Sequence, residues 1–379
     1  MKIVLLILSI ILLFGSCKKN NDEHFKKAIV GEWVFAKAEE KNPPKKAEVV
    51  TEFSPDIYWK RAYQFYENDS CEYKLGFFDR YHDKKTQDIM MLFKGTETQY
   101  KIEDDSLKIY FPNIDKWRST KIKSIMADTL TLQFNDSTFA KFAKRRYTIN
   151  QNESYDQIII SSSECCGSCP ISNISIHKSG EVLYDGERFN LINGLYTSYI
   201  TPQLYAKLEL EFKKVGIDTL KTRYTRGVKG ISTITITFIK NNHIYKTIVN
   251  EDYEAPDELY WAYLPVWFLH QRLHLKPYTH QKPAIAYRNS LYREEHISQI
   301  GSKKIIYLKQ SEAFFLQTEL FKSTIVSNST PWKPTYIIDK CYAGTDLYIT
   351  TDGRYFEYQD KLYDLGYNFI EQNNLEKTK

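Results

Sequence analysis

Residues 107–111 read Leu-Lys-Ile-Tyr-Phe, so apolar and polar side chains alternate there with a period of two. Such alternation predicts a β-strand with one buried face and one exposed face. The same pattern occurs at residues 63–66 and 130–134, with polar turn residues between the strands. Regularly spaced short strands without a long helix favour a closed antiparallel barrel, which leaves no unpaired edge. We therefore predict a barrel over residues 25–148.

The first strand of this barrel begins at Ile29-Val30-Gly31-Glu32-Trp33. Its Gly31-x-Trp33 motif is similar to the first strand of lipocalins, and the stretch resembles the lipocalin-like domains common in Bacteroidota lipoproteins. The resemblance implies that Trp33 plugs the closed end of the barrel, and that Arg145 or Arg146 packs over its ring as a cation–π partner. An eight-stranded barrel either holds one small ligand or is filled by side chains, and the sequence leaves both open.

The N-terminus is typical of an exported protein. Lys2 precedes an unbroken apolar run over residues 3–14, and Gly15-Ser16-Cys17 follows at once. This run is shorter than the roughly 20 residues that cross a bilayer, but its length suits a signal peptide. The stretch 14–17 resembles the lipobox of bacterial lipoproteins. The resemblance implies a signal peptide over residues 1–16. It also implies that the membrane is a partner of the protein, which is anchored to it by lipid on Cys17.

Residues 17–24 are a polar tether that follows the lipid-bearing cysteine. Two or three acyl chains bind a membrane durably, whereas one binds only marginally. Lys18 stands where enterobacterial lipoproteins of the inner membrane carry Asp, so the resemblance favours the outer membrane. The charged tether is also similar to that of surface-exposed Bacteroidota lipoproteins, and the choice between the periplasmic and the surface face stays open.

Residues 155–275 predict an α+β domain with antiparallel hairpins. A helix is expected between Thr201, a good N-cap residue, and Gly216, a good stop residue. Residues 233–238 alternate as a strand, and a second apolar helix is expected from Pro256 to about Leu275.

The same region contains Cys165-Cys166-Gly167-Ser168-Cys169-Pro170, followed by a hairpin around Gly180. This order resembles a bacterial domain of unknown function whose members carry Cys-x-Gly-Ser/Thr-Cys-Pro. The resemblance implies a fold class but no activity. It also implies a disulfide between Cys165 and Cys169, while Cys166–Cys169 remains the competing pair because Cys166 occupies the variable position.

The cysteine count allows other chemistry at this cluster. Without Cys17, five of the six cysteines remain, and an odd number leaves at least one unpaired or joined between chains. Exported proteins meet oxidants, which favours a structural disulfide within 165–169. Cys166-x-x-Cys169 is also a redox motif, but the activating helix is replaced by an alternating strand at 174–176. A metal site with His177 or Cys341 lacks diagnostic spacing.

No catalytic constellation is found elsewhere, so no catalytic residue, cofactor or metal site is predicted. His270 and His274 stand four residues apart, but the Glu of a metalloprotease motif is missing between them. We expect them to be packed or solvated. The small net charge of +5 and the lack of a dense basic cluster exclude nucleic acid as an expected partner.

The pattern over residues 285–372 predicts a small α+β module. A linker is expected over residues 276–300, which overlaps the beginning of this module. Its helix is expected to begin with Ser311 as N-cap, and Asp352-Gly353 is a hairpin signal. The module is either a separate domain or an extension of the preceding sheet. The leading hypothesis for the chain is a non-enzymatic envelope lipoprotein that either binds a small apolar ligand, a glycan or a protein, or has a purely structural role in an assembly. The alternative is a thiol-disulfide or metal-handling protein that uses Cys165, Cys166 and Cys169.

Overall fold

The structure is a computed structural model of the chain. It describes residues 22–40, 60–84, 87–225, 227, 230–251, 253–279, 294–327, 329–342 and 345–377. The apolar leader and Cys17 lie outside the described residues. Among those that are described, no helix has both the length and the apolar character needed to cross a membrane. The chain divides into two compact units, the first ending at Thr148 and the second beginning at Ile149, except that Arg80–Leu92 belongs to the second.

The first unit is a closed barrel of eight strands in sequential order, and neighbouring strands pair in antiparallel fashion. This confirms the predicted fold class. The strands are β1 (Gly31–Glu40), β2 (Ala62–Phe65), β3 (Ser70–His82), β4 (Ile89–Glu103), β5 (Ser106–Phe111), β6 (Lys116–Met126), β7 (Thr129–Gln133) and β8 (Thr138–Arg145). The alternating segment at 107–111 falls within β5, where Leu107 and Ile109 are buried.

A short helix, α1 (22–28), is bonded to the end of the barrel at which β1 begins. The Asp22 carboxylate accepts hydrogen bonds from the backbone N–H groups of Asp104 and Asp105, at 3.1 and 3.0 Å. Lys26 forms an ion pair with Asp69 at 2.6 Å. Trp33 is fully buried, and its indole N–H donates a hydrogen bond to the carbonyl oxygen of Ile29, the residue after α1, with an N–O distance of 2.6 Å. This end of the barrel is therefore closed by a helix and an indole ring.

The cation over Trp33 is Lys144, so the expected contact with Arg145 or Arg146 is not the one observed. The Lys144 ammonium lies 5.2 Å from the centre of the Trp33 ring. Strand register explains the difference, because Trp33 pairs directly with Lys144, and directly paired residues project to the same face. Arg145 packs over Tyr147 instead.

Two further residues fit this arrangement. Arg146 reaches outward to the Asp128 carboxylate, with hydrogen bonds of 2.8 and 2.7 Å. Gly31 has a φ of 126°, and a Cβ at that position would lie 2.7 Å from the Lys144 side chain. The glycine of the Gly-x-Trp motif is thus required by its backbone conformation, and any side chain there would also displace the end of the Lys144 side chain.

The second unit begins with an eight-stranded sheet. The strands are β9 (Gln157–Ser162), β10 (Ile171–His177), β11 (Glu181–Arg188), β12 (Gly194–Tyr199), β13 (Arg223–Tyr224), β14 (Thr233–Lys240), β15 (His243–Glu251) and β16 (Lys276–Pro277). Their order is β13-β15-β14-β9-β10-β11-β12-β16, and the pairs are antiparallel apart from β13 and β15. Every residue of β9 is buried, because both faces of the sheet are covered, which explains its continuous Ile158-Ile159-Ile160 run.

Two helices pack together in this domain, α2 (Pro202–Val215) and α3 (Asp257–Trp267). The Thr201 hydroxyl caps α2, and Gly216 ends it with a φ of 70°, as the sequence predicted. The second helix is shorter than predicted. It ends at Trp267, and the chain continues as a 3₁₀ turn at Leu269–Arg272.

The remaining chain forms a seven-stranded sheet of its own, in the order β18-β17-β20-β21-β22-β23-β19. These strands do not extend the preceding sheet. They are β17 (Glu294–Gln299), β18 (Ile305–Lys309), β19 (Thr324–Val326), β20 (Tyr336–Tyr342), β21 (Thr345–Thr351), β22 (Tyr355–Tyr358) and β23 (Lys361–Asp364), with helices α4 (Gln310–Lys322) and α5 (Phe369–Gln372). Both described ends of the expected linker are paired in sheets, in β16 and β17, and its middle lies outside the described residues.

Helix α4 joins the two sheets of the second unit through one apolar core. Phe314 and Phe315 of α4 belong to the same buried cluster as Ile159 and Ile239 of the first of these sheets. Ser311 is not the N-cap of α4, since Lys309 occupies that position. Its hydroxyl instead lies 2.7 Å from the hydroxyl of Thr237, on strand β14 of the first sheet of this unit. The module at 285–372 therefore shares a core with the domain before it.

Candidate ligand site at the open end of the barrel

The barrel contains a cavity of about 350 Å³ at the end opposite Trp33. Its position follows from the strand directions. The lining residues nearest the rim are Arg61 before β2, Phe111 at the end of β5, Arg118 near the start of β6 and Phe134 after β7. In an antiparallel barrel these termini meet at one rim, whereas α1 and Trp33 close the other. As far as the described residues show, the barrel is therefore filled at one end and open at the other.

Aromatic side chains fill the half of the barrel near Trp33. Phe65 and Tyr100 are almost fully buried there, with their ring centres 4.9 Å apart in an edge-to-face arrangement. Tyr63 stacks on Phe65, with the ring centres 5.8 Å apart, and on Tyr73, with the centres 5.1 Å apart. Tyr63 and Tyr73 also line the cavity, so this stack forms its floor. Such a rigid floor fixes the depth to which a ligand can enter.

The wall of the cavity is largely apolar. Leu107, Ile109 and Leu132 line it and are buried in the barrel core. Phe111 adds an aromatic face at the end of β5. Pockets of roughly 300–1,000 Å³ with apolar walls and a few polar groups are typical of small-molecule sites. This cavity lies near the lower bound of that range.

Two arginines bring positive charge to the same cavity. Arg61 precedes β2, and Arg118 is the third residue of β6, so both lie near the open rim. The guanidinium carbon of Arg118 lies 4.6 Å from the centre of the Phe111 ring. Arg61 is hydrogen-bonded to the Tyr73 hydroxyl. Among the described residues that line the cavity, none is acidic.

The phenols at the floor remain protonated at neutral pH. Burial raises the pKa of Tyr63, and the nearby Arg61 and Arg118 only partly oppose that shift. Burial also raises the pKa of Tyr73, again against the two arginines. Both side chains therefore offer neutral hydroxyl groups, and among the described lining residues the charge comes from the guanidinium groups.

The sequence did not single out Arg61 or Arg118. One precedes a four-residue strand and the other lies in an exposed stretch, so each resembles an ordinary surface arginine. The available signal was their position at strand ends that a closed barrel brings to one rim. Using it requires the strand order, which alternation alone does not give.

The cysteine cluster of the second unit contains one disulfide, between Cys165 and Cys169, with a Cα–Cα distance of 5.7 Å. This is the pair that the family resemblance implied, and the competing pair with Cys166 is not formed. Cys166 is a free, exposed thiol. Strand β10 begins at Ile171, directly after the cluster, so no helix N-terminus follows the disulfide. The arrangement lacks the dipole that activates the first cysteine of a thioredoxin-type motif.

Cys71 is separate from this cluster. Cys71 is buried in the barrel core, and burial raises its pKa to about 12, which keeps the thiol protonated and unreactive. The side chain of Cys341 lies outside the described part of the structure.

The two histidines of the possible chelate are not on one helix face. His270 lies in the 3₁₀ turn after α3, is buried, and stacks on Tyr184 with the ring centres 4.1 Å apart. Burial lowers its pKa to about 4, so the ring is neutral. His274 lies beyond that turn and is exposed. In the described ranges no three His, Cys, Asp or Glu side chains are grouped so as to hold a metal ion.

A second cavity, of about 220 Å³, lies within the second unit between strands β9–β12 and α4. Its polar groups are engaged with one another. Gln157 donates to the Ser175 hydroxyl at 2.6 Å, and the His177 ring lies 2.7 Å from the Ser179 hydroxyl. Burial lowers the pKa of His177. Its charged lining residues, Glu181 and Lys322, have opposite signs, whereas those described for the barrel cavity are both arginines.

The disulfide carries a prediction about stability. Replacement Cys165→Ser should lower the free energy of unfolding by about 2 kcal/mol, because a covalent link that closes a short loop is lost from the unfolded chain. Cys166→Ser, the matched control, should change it by less than about 0.5 kcal/mol. Urea denaturation of both variants under oxidising conditions provides the measurement. Equal effects of the two substitutions would contradict the assigned pairing.

The architecture places the chain in a general class, that of multi-domain proteins with a closed antiparallel barrel followed by α+β sheets. Comparison with known families is more specific for one part. Residues 156–270 match the family model described as a domain of unknown function (DUF6438). The first sheet of the second unit, with the Cys165–Cys169 disulfide and α2, is thus a DUF6438 domain. No curated protein and no solved structure matches the chain.

Proposed function

We propose that this chain is a cell-envelope lipoprotein, held on the outer membrane through lipid on Cys17, whose barrel binds a small and partly apolar ligand. The observation that carries the binding role is the cavity of about 350 Å³ at the open end of the barrel. A barrel made only for structure would be filled by side chains along its whole length, as it is around Trp33. The role is non-enzymatic binding.

The anchor is supported by the sequence of the leader. An apolar run too short to cross a bilayer ends directly at Gly15-Ser16-Cys17. A structured domain begins at Asp22, within a few residues of that cysteine. The arrangement is that of a folded protein on a short polar tether, for which a double acyl anchor provides durable membrane attachment.

Filling the cavity tests the binding role. Thr120 lines the cavity, and Thr120→Trp should weaken binding of the apolar dye N-phenyl-1-naphthylamine at least tenfold, because the indole occupies the ligand's space. The matched control is Thr129→Trp, at an exposed position at the start of β7. Dye fluorescence titration gives the affinities, and thermal melts show whether each variant is folded. Equal affinities of the two folded variants would remove the cavity from the proposed function.

The anchor is tested separately. Cys17→Ala should abolish incorporation of radioactive palmitate and release the protein from washed membranes, because the only acylated thiol is removed. Cys166→Ala, an exposed thiol elsewhere in the chain, serves as the control and should remain anchored. Separation of inner and outer membranes by density then locates the unaltered protein. A Cys17→Ala protein that stays with the washed membranes would contradict the anchor.

One observation favours a second candidate, thiol-disulfide handling. The free Cys166 thiol is exposed and adjoins the Cys165–Cys169 disulfide. Exchange within the cluster would form a new bond between Cys166 and one member of the pair, with the other released as a thiolate. Mass mapping of the disulfides after incubation with reduced glutathione tests this candidate. A single, unchanged Cys165–Cys169 pair would eliminate it.

A further inference from the structure

We infer that the second unit contains an acid-sensitive strap, which protonation of the buried His270 releases from the sheet. The strap comprises residues 269–277, which carry the chain from the end of α3 to strand β12. It begins with the 3₁₀ turn Leu269–Arg272 and ends with β16, which pairs with β12. This inference concerns a conformational switch, and it does not depend on the proposed ligand site of the barrel.

His270 holds the first part of the strap against the sheet. Its ring lies on the Tyr184 ring of β11, with the ring centres 4.1 Å apart and the planes 7° from parallel. Its Nδ1 atom lies 3.1 Å from the Trp267 carbonyl oxygen, so the neutral ring carries its proton on Nδ1 and donates it to that oxygen. Only 1% of the residue is exposed. One side chain therefore fixes the turn to both β11 and α3.

The second ring nitrogen of His270 has no hydrogen-bond partner among the described residues. This atom, Nε2, is buried, and in the neutral ring it carries a lone pair and no charge. Protonation would place an N–H donor and a positive charge there, and both are costly when they are buried without an acceptor. Contact with the face of the Tyr184 ring offsets only part of that cost, because the added N–H group still has no acceptor.

No charged side chain among the described residues compensates a charge on His270. From β11, the Tyr184 phenol faces the ring, and it stays neutral because burial raises its pKa. Asp185 follows in the same strand and so projects to the opposite face of the sheet. From α3, the ring meets the Trp267 carbonyl, and Arg272 of the strap is exposed and positively charged. Burial consequently lowers the pKa of His270 to about 4.

The direction of the switch follows from proton uptake. In the released strap, His270 is in water and takes up a proton as the pH falls through its ordinary pKa of 6.5. In the closed strap it stays neutral down to about pH 4. Between these values the released form binds more protons, so release becomes more favourable as the pH falls. The equilibrium constant for release should rise about 50-fold from pH 7 to pH 4.5 and change little above pH 7.

Release of the turn weakens the contacts further along the strap. Lys276 of β16 pairs with Thr197 of β12, and the His274 carbonyl accepts a hydrogen bond from the Ser198 hydroxyl at 2.9 Å. These contacts lie in the same short segment as His270, so they lose the support of the turn when it leaves β11. The side of β12 that β16 covers and the fully buried Tyr184 ring then become accessible to solvent.

Amide hydrogen exchange of the full chain in detergent, measured by mass spectrometry at pH 7.0 and pH 4.5, tests the strap. After correction for intrinsic exchange rates, amides of residues 270–277 should lose about 50-fold of their protection, while those of α4 keep theirs. His270→Phe should remove this response, because a phenyl ring retains the stack on Tyr184 and does not titrate. His274→Phe, at an exposed position of the same strap, is the matched control and should respond like the unaltered chain.

A direct titration covers the case in which the His270→Phe chain does not fold. Nuclear magnetic resonance of the unaltered chain, with labelled histidine rings, should show a ring that stays neutral well below pH 6.5 until the strap loses its protection. A titration midpoint of 6.5 for every histidine, or full protection of the strap at pH 4.5, overturns the switch. Loss of protection that persists in a folded His270→Phe chain overturns it as well, since another group then causes the release.

Discussion

Trp33→Ala is expected to lower the free energy of unfolding of the barrel by about 3–5 kcal/mol, as for other large-to-small substitutions of buried aromatic residues. Trp33 is fully buried, its N–H group bonds to the Ile29 carbonyl, and the Lys144 side chain covers its ring. The substitution therefore removes packing, a hydrogen bond and a cation–π contact together, and it leaves a cavity beneath α1.

The matched control for this prediction is Trp117→Ala. Trp117 is 42% exposed on β6, and the Lys101 ammonium lies 5.0 Å from its ring centre. The substitution therefore removes a similar Trp–Lys contact, but at the surface. A change of about 1 kcal/mol or less is expected there. Chemical denaturation followed by circular dichroism gives both values. A similar loss in the two variants would contradict the role of Trp33 as the plug of the barrel.

Phe314→Ala should destabilise the second unit by about 3–5 kcal/mol, and the effect should reach both of its sheets. Phe314 is fully buried in the cluster that includes Ile159 of β9 and Ile338 of β20. Removing its ring opens the core that these sheets share. Hydrogen exchange should therefore accelerate in β9 as well as in β20.

Tyr307→Ala is the control for this result. Tyr307 lies on β18 of the C-terminal sheet, 47% exposed, and packs edge-on against His296. Its loss should leave β9 protected. Accelerated exchange in β20 without any change in β9, in the Phe314→Ala protein, would show that the C-terminal module unfolds independently of the DUF6438 domain.

Local features of the fold were predictable from the sequence. Alternation of polar and apolar residues located strands of the barrel. The cap residues Thr201 and Gly216 predicted both ends of α2 at the residues where the structure has them. The hairpin at Asp352-Gly353 formed as its turn residues indicate, with Gly353 at a φ of 98°. These features depend on a few neighbouring residues, so they do not require knowledge of the tertiary structure.

Features set by distant contacts were not predictable. Ser311 has the chemistry of an N-cap, but the sheet engages its hydroxyl through Thr237 and the helix begins earlier. Lys144 replaces the expected arginine over Trp33 because the register of β1 and β8, rather than residue type, decides which side chain faces the ring. The charged rim likewise depends on barrel closure, which brings Arg61 and Arg118 together from separate strands.

The attachment of α1 limits how the barrel can be oriented on a lipid surface. Asp22 is bonded to the turn between β4 and β5, and only five peptide units separate it from Cys17. Fully extended, that stretch spans at most about 18 Å. If Cys17 carries acyl chains, as proposed, this stretch keeps the plugged end of the barrel within that distance of the lipid headgroups. The arginine-lined cavity then lies at the end of the barrel that is farther from the anchor.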